Sequence, residues 1–510
     1  MEEQKKFTEI ISEGYQPKGD FIHLGAGMLK GEVIPEAAVK IPLKTMNRHG
    51  LIAGATGTGK SKTLQILAEQ LSQKGVPVLL MDVKGDLSGI AKPSEGGKFI
   101  EDRHAKLEIP FEAKASPVEL MSLSEQKGIR LRATVSEFGP VLLARILDLS
   151  PTQTGILAIV FKYCDDNHLP LLDLKDLKKI IQYASDEGRE EFEKDYGRIS
   201  SASTGAILRK IVALEQQGAD LFFGERSFEV TDLTRKDAEG NGYVNIIRLT
   251  DIQDKPQLFS TFMLSLLAEI YNTFPEKGDS DKPELVLFID EAHLIFKEAS
   301  DALLDQIESI VKLIRSKGVG IYFVTQNPTD VPQEVLGQLG LKIQHALRAF
   351  TAQDRKAIKL TAENYPISEF YDTKNELTSL GIGEALVSAL DEKGRPGPLA
   401  VTMLRAPMSR MDILTPSELN ELIDASELLP KYNETIDRES AYEILTDKIA
   451  RADAEKAREK ARVERKEVAR AGSRKTSRND SNNTEKAIIK VLTSATFIRG
   501  VMGVLNKLMK

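Results

Sequence analysis

Asn47-Arg48-His49-Gly50-Leu51-Ile52-Ala53-Gly54-Ala55-Thr56-Gly57-Thr58-Gly59-Lys60-Ser61 carries an apolar piece into a glycine-rich loop. It continues as KTLQILAEQLSQKG, of helical periodicity, and as the apolar run VPVLLMD, which ends at Asp82. Strand, loop, helix and strand in that order make a βαβ unit, and such units build parallel sheets. Residues 54–61 fit G-x-x-x-x-G-K-[ST] after a strand and at a helix start, the context in which that pattern is a phosphate-binding P-loop. Glycines let the backbone wrap phosphates, so that amide N–H groups and the helix N-terminus face negative charge. Lys60 is expected to reach the β and γ phosphates, Ser61 to bind Mg²⁺, and Lys62 to line the same cradle. The ligands implied are ATP and Mg²⁺. The bland alternative is a glycine-rich turn with an exposed lysine.

A P-loop requires a second element, an acidic residue ending a neighbouring apolar strand, and for hydrolysis a base for water. Leu285-Val-Leu-Phe-Ile-Asp290-Glu291-Ala-His293 supplies both. Asp290 is expected to reach the magnesium through water, and Glu291 to polarise the attacking water. His293 more often orients a loop than does chemistry. Gln326 ends GIYFVTQ, where a polar side chain at the carboxyl edge of a parallel sheet can contact the γ-phosphate or water. Asp82 holds the same topological position on the second strand, before KGDLSG, so its carboxylate is expected to face the nucleotide; a turn-capping role is its alternative.

Outward from these motifs the 510 residues suffice for about three domains. The fold expected is α/β: a first core part at 1–115 with the P-loop, a helical insertion at 116–236, a second core part at 237–406, and a helical region at 407–510. In the last, 447–480 carries 12 Lys or Arg against 7 Asp or Glu, a solvated helix leading to a flexible linker. Residues 484–510 regain apolar side chains and are expected to dock as a helix. Net charge is −7, so any nucleic-acid contact must be local. The single cysteine, Cys164, excludes an intrachain disulfide and, lacking partners at ligand spacing, a structural zinc site. The N-terminus lacks the apolar run of a signal peptide, and no stretch is long and apolar enough to span a bilayer. These features lead to the expectation of a cytoplasmic enzyme without membrane contact.

The run 47–61, the DVKGDLSG after the second strand, FIDEAH and FVTQNPTDVP together resemble the HerA-like branch of the HerA and FtsK superfamily of ring-forming ATPases, and within it the YjgR-like family. The resemblance spans most of the chain. It implies a RecA-like ATPase core, a homohexameric ring and movement of duplex DNA through its pore. By the same resemblance Arg48 takes the position of a family arginine upstream of the P-loop and Arg315 that of one downstream of the acidic pair. One of them is expected to be donated by the neighbouring subunit, where a guanidinium neutralises charge on the transferred phosphate. Arg348 ranks below them. About forty-five residues before the P-loop strand are too few for the N-terminal barrel of HerA, so its nuclease partnership is not expected here.

These features together lead to a Mg²⁺-dependent ATPase ring acting on DNA without sequence preference, with Lys84, Lys92, Lys98, Arg103 and Lys277 as the cations to consider for its pore. The rival is a ring that remodels or scaffolds a protein complex through an unidentified partner. A third reading makes the polar C-terminal region the working part of a nucleotide-binding interaction protein, which a placed base at Glu291 opposes.

Overall fold

The computed structural model describes residues 2–473 apart from 279, 297–300, 435 and 437. The chain divides into two units, Met1–Glu443 and Ile444–Lys510. The second begins within the helix Ala441–Ser473. The stretch 484–510, expected to be a docking helix, lies outside the described residues.

The first unit is organised by one twelve-strand sheet among the described residues. In chain order its strands are β1 (Phe21–Leu29), β2 (Glu32–Pro42), β3 (Gly50–Ala53), β4 (Val78–Asp82), β5 (Val118–Ser122) and β6 (Ile129–Arg130), followed by β7 (Val244–Arg248), β8 (Leu285–Ile289), β9 (Val319–Thr325), β10 (Leu341–Gln344), β11 (Glu384–Ala389) and β12 (Ala400–Leu404). They lie in the order 2-1-12-11-10-3-9-8-4-7-5-6. From β10 to β6 every pairing is parallel. The four strands β2, β1, β12 and β11 extend it antiparallel, a part that the expectation of a parallel sheet omitted. The parallel strands β3, β4, β8 and β9 are buried along their whole length, because helices cover both faces of such a sheet.

Crossover logic explains where the P-loop lands. The helix Lys60–Gln73 starts directly after β3, follows Gly59 at φ 116°, and has no side-chain cap, so its first-turn N–H groups point into the loop. Leu64, Leu67 and Leu71 give it an apolar stripe facing the core.

The helical insertion is narrower than 116–236. Val118–Ser122 and Ile129–Arg130 are sheet strands, short enough that their alternation is lost between loops. The helices run from Val135–Ile146 to Ser201–Gln216, three of them opened by capping boxes at Thr134, Ser150 and Asp173.

Candidate functional site at the carboxyl edge of the sheet

In a parallel sheet the strand ends on one edge converge, and the P-loop follows β3 there. Gly54 N donates to Thr325 O at 3.2 Å and Ala55 N to Ala346 O at 2.8 Å, which pins the loop between β9 and β10. Gly54 stands at φ 152°, and a Cβ there would lie 2.5 Å from that of His345, so no larger residue fits. Thr58 Oγ1 donates to Ala55 O at 2.7 Å, closing the turn. The Lys60 ammonium lies inside the loop and donates to Gly54 O at 2.7 Å and Ala55 O at 3.1 Å. Burial, then the neighbouring Lys84 charge, lowers its pKa. The loop thus presents glycines, a buried ammonium and a helix start together, an anion cradle.

β8 delivers the acids. Asp290 is buried, and burial pushes its pKa up to about 6 against the pull of Lys84, whose Nζ is 3.6 Å away. Glu291 takes a left-handed φ of 48°, which costs a non-glycine residue on the order of 1 kcal/mol. Its Oε1 lies 2.6 Å from Lys84 Nζ, and His293 Nδ1 is 3.1 Å from Oε2. Oε2 is buried yet accepts no hydrogen bond of acceptable geometry, so the His293 approach is proximity only. Burial alone would raise the pKa of Glu291, but the Lys84 bond and charge hold it below the ordinary value. The result is a carboxylate biased toward its ionised form, with one oxygen anchored by Lys84 and the other buried without a hydrogen bond.

Lys84, considered for a pore, therefore belongs to this site. Asp86, two residues on, was not singled out from the sequence. Its Oδ1 is buried without a hydrogen-bond partner, and its charge acts on Lys60, Lys62 and Asp290. The signal was present in KGD, charged residues just past an apolar strand at a parallel sheet's carboxyl edge.

Asp82 departs from its expected role. Its Oδ1 accepts from Gly85 N at 2.7 Å and Asp86 N at 3.2 Å, and its Oδ2 from Leu87 N at 3.2 Å. The carboxylate shapes the turn that presents Lys84 and Asp86, and does not face the crevice. Lys62 departs too, since its ammonium donates to Met411 O. Its neighbours on the same helix face do likewise. Gln65 Nε2 donates to Ser409 Oγ at 2.8 Å, and Glu69 accepts from Met408 N, Ser409 N and Ser409 Oγ. That face fastens the P-loop helix to the segment 408–411, a long-range contact without a local signature. Among the other pore cations, Lys277 pairs with Glu284 at 3.2 Å and Arg103 binds backbone carbonyls, while Lys92 and Lys98 are exposed.

The arginines separate. Gln326 follows β9 and lines a cleft of about 560 Å³ with Ala55, Thr56 and Arg348, so Arg348 is the arginine on the P-loop edge. Arg48 precedes β3 and Arg315 precedes β9, at the amino ends of those strands. The four residues of β3, roughly 13 Å of extended chain, lie between Arg48 and Gly54, more than a side chain spans. His49 lies between the two arginines, donating from Nε2 to Val311 O at 2.8 Å and accepting at Nδ1 from Ile321 N at 3.0 Å. The Arg315 charge helps to depress its pKa after burial.

The donor set suits Mg²⁺. Ser61, Asp290 and Asp86 offer hard oxygens beside the cradle, and no group of three or more His, Cys, Asp or Glu forms a protein cage among the described residues. Magnesium in nucleotide sites is held that way, by phosphates, water and one or two protein oxygens.

Comparison with known proteins agrees with this architecture. The chain is 24% identical over 355 residues to the DNA double-strand break repair helicase HerA of Sulfolobus acidocaldarius, covering 68% of this chain and 64% of that protein. It is 24% identical over 409 residues to the DNA import protein CedB of the same species, covering 78% and 59%. It thus spans less than two thirds of the length of these relatives. Among solved structures, the unbound bacterial conjugative coupling protein TrwBdeltaN70 superposes with a TM-score of 0.51 at 15% identity, over 79% of this chain and 93% of that one. The plasmid coupling protein TrwB in complex with ADP and Mg²⁺ gives 0.50 at 15% identity, over 78% and 99%. These likenesses show a RecA-like P-loop fold. A match to the family described as Helicase HerA-like C-terminal runs from residue 28 to residue 509. The chain therefore belongs to the HerA-like helicase C-terminal family.

Proposed function

We propose that the protein is a Mg²⁺-dependent ATPase that works as a homohexameric ring and moves duplex DNA without sequence preference. The observation that carries hydrolysis is Glu291, on a strained backbone with Lys84 on one oxygen and no hydrogen bond on the other. Lys60 contacts the β and γ phosphates from within the loop. Glu291 Oε2 accepts the proton of the attacking water while Lys84 keeps the carboxylate ionised and aimed. Ser61, Asp290 and Asp86 would hold Mg²⁺, which when bound would supply neutralisation of phosphate charge. Gln326 and Arg348, beside Thr56, contact the γ-phosphate. Arg48 and Arg315 serve the neighbouring subunit's site, since neither reaches its own. That TrwB has been solved with ADP and Mg²⁺ supports the ligands proposed.

The DNA part rests on the family and on relatives named as a DNA repair helicase and a DNA import protein. No described helix is long and apolar enough to cross a membrane. The test is the hydrolysis rate with and without duplex DNA across a salt series. Stimulation should be insensitive to sequence and fall steeply as salt rises, because only phosphates are contacted. No stimulation by any nucleic acid, with stimulation by a protein partner, would replace translocation by the remodelling reading.

A further inference from the structure

The direction of a bound nucleotide can be read from the order of strands. Asp290, Glu291 and Lys84 stand on β8 and β4, on one side of β3, so the γ-phosphate points that way. The nucleoside end then leaves toward the other side, past β10, where β11 and β12 lie. β11 is antiparallel to β10 and β12 to β11, which puts the start of β11 and the end of β12 on the P-loop edge.

At that place the loop 381–383 abuts the cradle. Gly383 N donates to Thr58 O at 3.1 Å, and a Cβ on Gly59 would come 3.3 Å from Gly383 N. Arg103, on the helix Lys98–Leu107, fastens the loop. Its Nη1 donates to Gly383 O at 3.1 Å and Leu404 O at 2.9 Å, and its Nη2 to Ile382 O at 3.0 Å. The same guanidinium lies 5.1 Å from the centroid of the Phe99 ring. Phe99 and Ile382 are 61% and 69% exposed, two large apolar side chains held beside one anchored cation, contiguous with the phosphate cradle. Exposed apolar groups on a fixed frame beside an anion site suit a flat, partly apolar group attached to that anion.

We propose that Phe99 and Ile382, positioned by Arg103, seat the nucleobase of the triphosphate whose phosphates the P-loop holds. The base stacks on the Phe99 ring, whose face the guanidinium orients, and Ile382 closes the apolar side. The inference rests on the P-loop reading above and deepens it. It also gives the loop 381–383 a role in affinity for the nucleoside that the phosphate contacts do not supply.

The sequence has no tryptophan, so Phe99→Trp places a single indole at this position. In the full chain, ATP should quench its emission, while inorganic tripolyphosphate, which has no base, should leave the emission unchanged yet compete with ATP. Phe99→Ala should raise KM for ATP about tenfold, a larger change than in kcat, and Phe99→Tyr should restore it. Affinity for tripolyphosphate should be the same in wild type and Phe99→Ala. The proposal is overturned if ATP and tripolyphosphate change the indole emission alike, or if KM for ATP is the same in Phe99→Ala as in wild type. Failure of the P-loop reading looks different: neither ATP nor tripolyphosphate binds, and the base seat falls with it.

Discussion

At the carboxyl ends of β3, β4 and β8 stand Lys60, Ser61, Lys84, Asp290 and Glu291, while at the amino ends of β3 and β9 stand Arg48, His49 and Arg315. The first edge has a phosphate cradle, acids and a base, but its Lys84 is tied to the acids. The second has two arginines and no cradle. Strands buried along their length hold the two edges apart, so no side-chain rotation brings them together within one chain. In the ring proposed above, a head-to-tail repeat of the chain would do so, because such a contact sets one edge against the other edge of the next copy. On that proposal the two edges would be halves of one site.

The strongest way to break that division is to disable the carboxyl edge. Lys60→Ala should abolish hydrolysis by removing charge from the β and γ phosphates, whereas Glu291→Gln should retain nucleotide and stop turnover. Near wild-type turnover in Glu291→Gln would show that the base lies elsewhere. EDTA should silence the wild type and added Mg²⁺ restore it.

The next effect separates the edges. Arg315→Ala should bind ATP normally and hydrolyse it roughly a thousandfold more slowly, since a guanidinium in a desolvated interface stabilises the charge that develops on the γ-phosphate. Mixed with Glu291→Gln subunits it should regain activity, because an interface between one of each combines an intact base with an intact arginine. Arg348→Ala, on the same edge as Glu291, should cost roughly a hundredfold and show no such rescue. Mixed rings in which Arg348→Ala recovers and Arg315→Ala does not would reverse the assignment.

How much of this was legible in the sequence differs between the edges for a physical reason. The P-loop, Asp290 and Glu291 sit in contiguous runs, where strand end, glycine spacing and acidic pair occur within a few residues of each other. Lys84, Asp86 and His345 join the site from strands that are neighbours only in the sheet, and the fastening of Glu69 to residues 408–409 crosses more than 300 positions. Single-sequence periodicity carries no such pairing. The same limit hid β5 and β6 inside the helical stretch; residues 21–43 read as short strands leading into the core, but not the antiparallel pairing that joins β1 and β2 to β12 and β11. Asp82 shows the opposite error, since a carboxylate at a strand end suits a turn as well as a ligand, and here three backbone N–H groups claim it.

The smallest expected effect concerns what stands behind each edge. His345 backs the P-loop, donating from its backbone N to Ala53 O at 2.7 Å with its Nε2 2.9 Å from Thr63 Oγ1; His49 backs the arginines. Both rings are buried, and both have a pKa lowered to about 4, first by that burial and further by the cation in front, Lys60 for His345 and Arg315 for His49. Above pH 6.5 the histidines are neutral in folded and unfolded chains alike, and their contribution to stability is fully present. As pH falls from 6.5 toward 4 the unfolded chain takes up protons that the fold excludes, so stability is lost, by up to about 3 kcal/mol per histidine. His23, lowered to about 4 as well, adds a background common to both. Glu69, raised to about 7, and Asp82 and Asp290, raised to about 6, all by burial first, act in the opposite sense and gain stability as pH falls, so each histidine is read from the difference between variant and wild type in denaturant midpoints from pH 7 to pH 4.5. His49→Gln and His345→Gln, whatever their stability at pH 7, should each become more stable relative to the wild type as pH falls over that range, since each removes one proton from the difference between the two states. A pH profile in either variant that runs parallel to the wild type would mean that its histidine takes up a proton in the fold as readily as in the unfolded chain, and is not a neutral support for the edge in front of it.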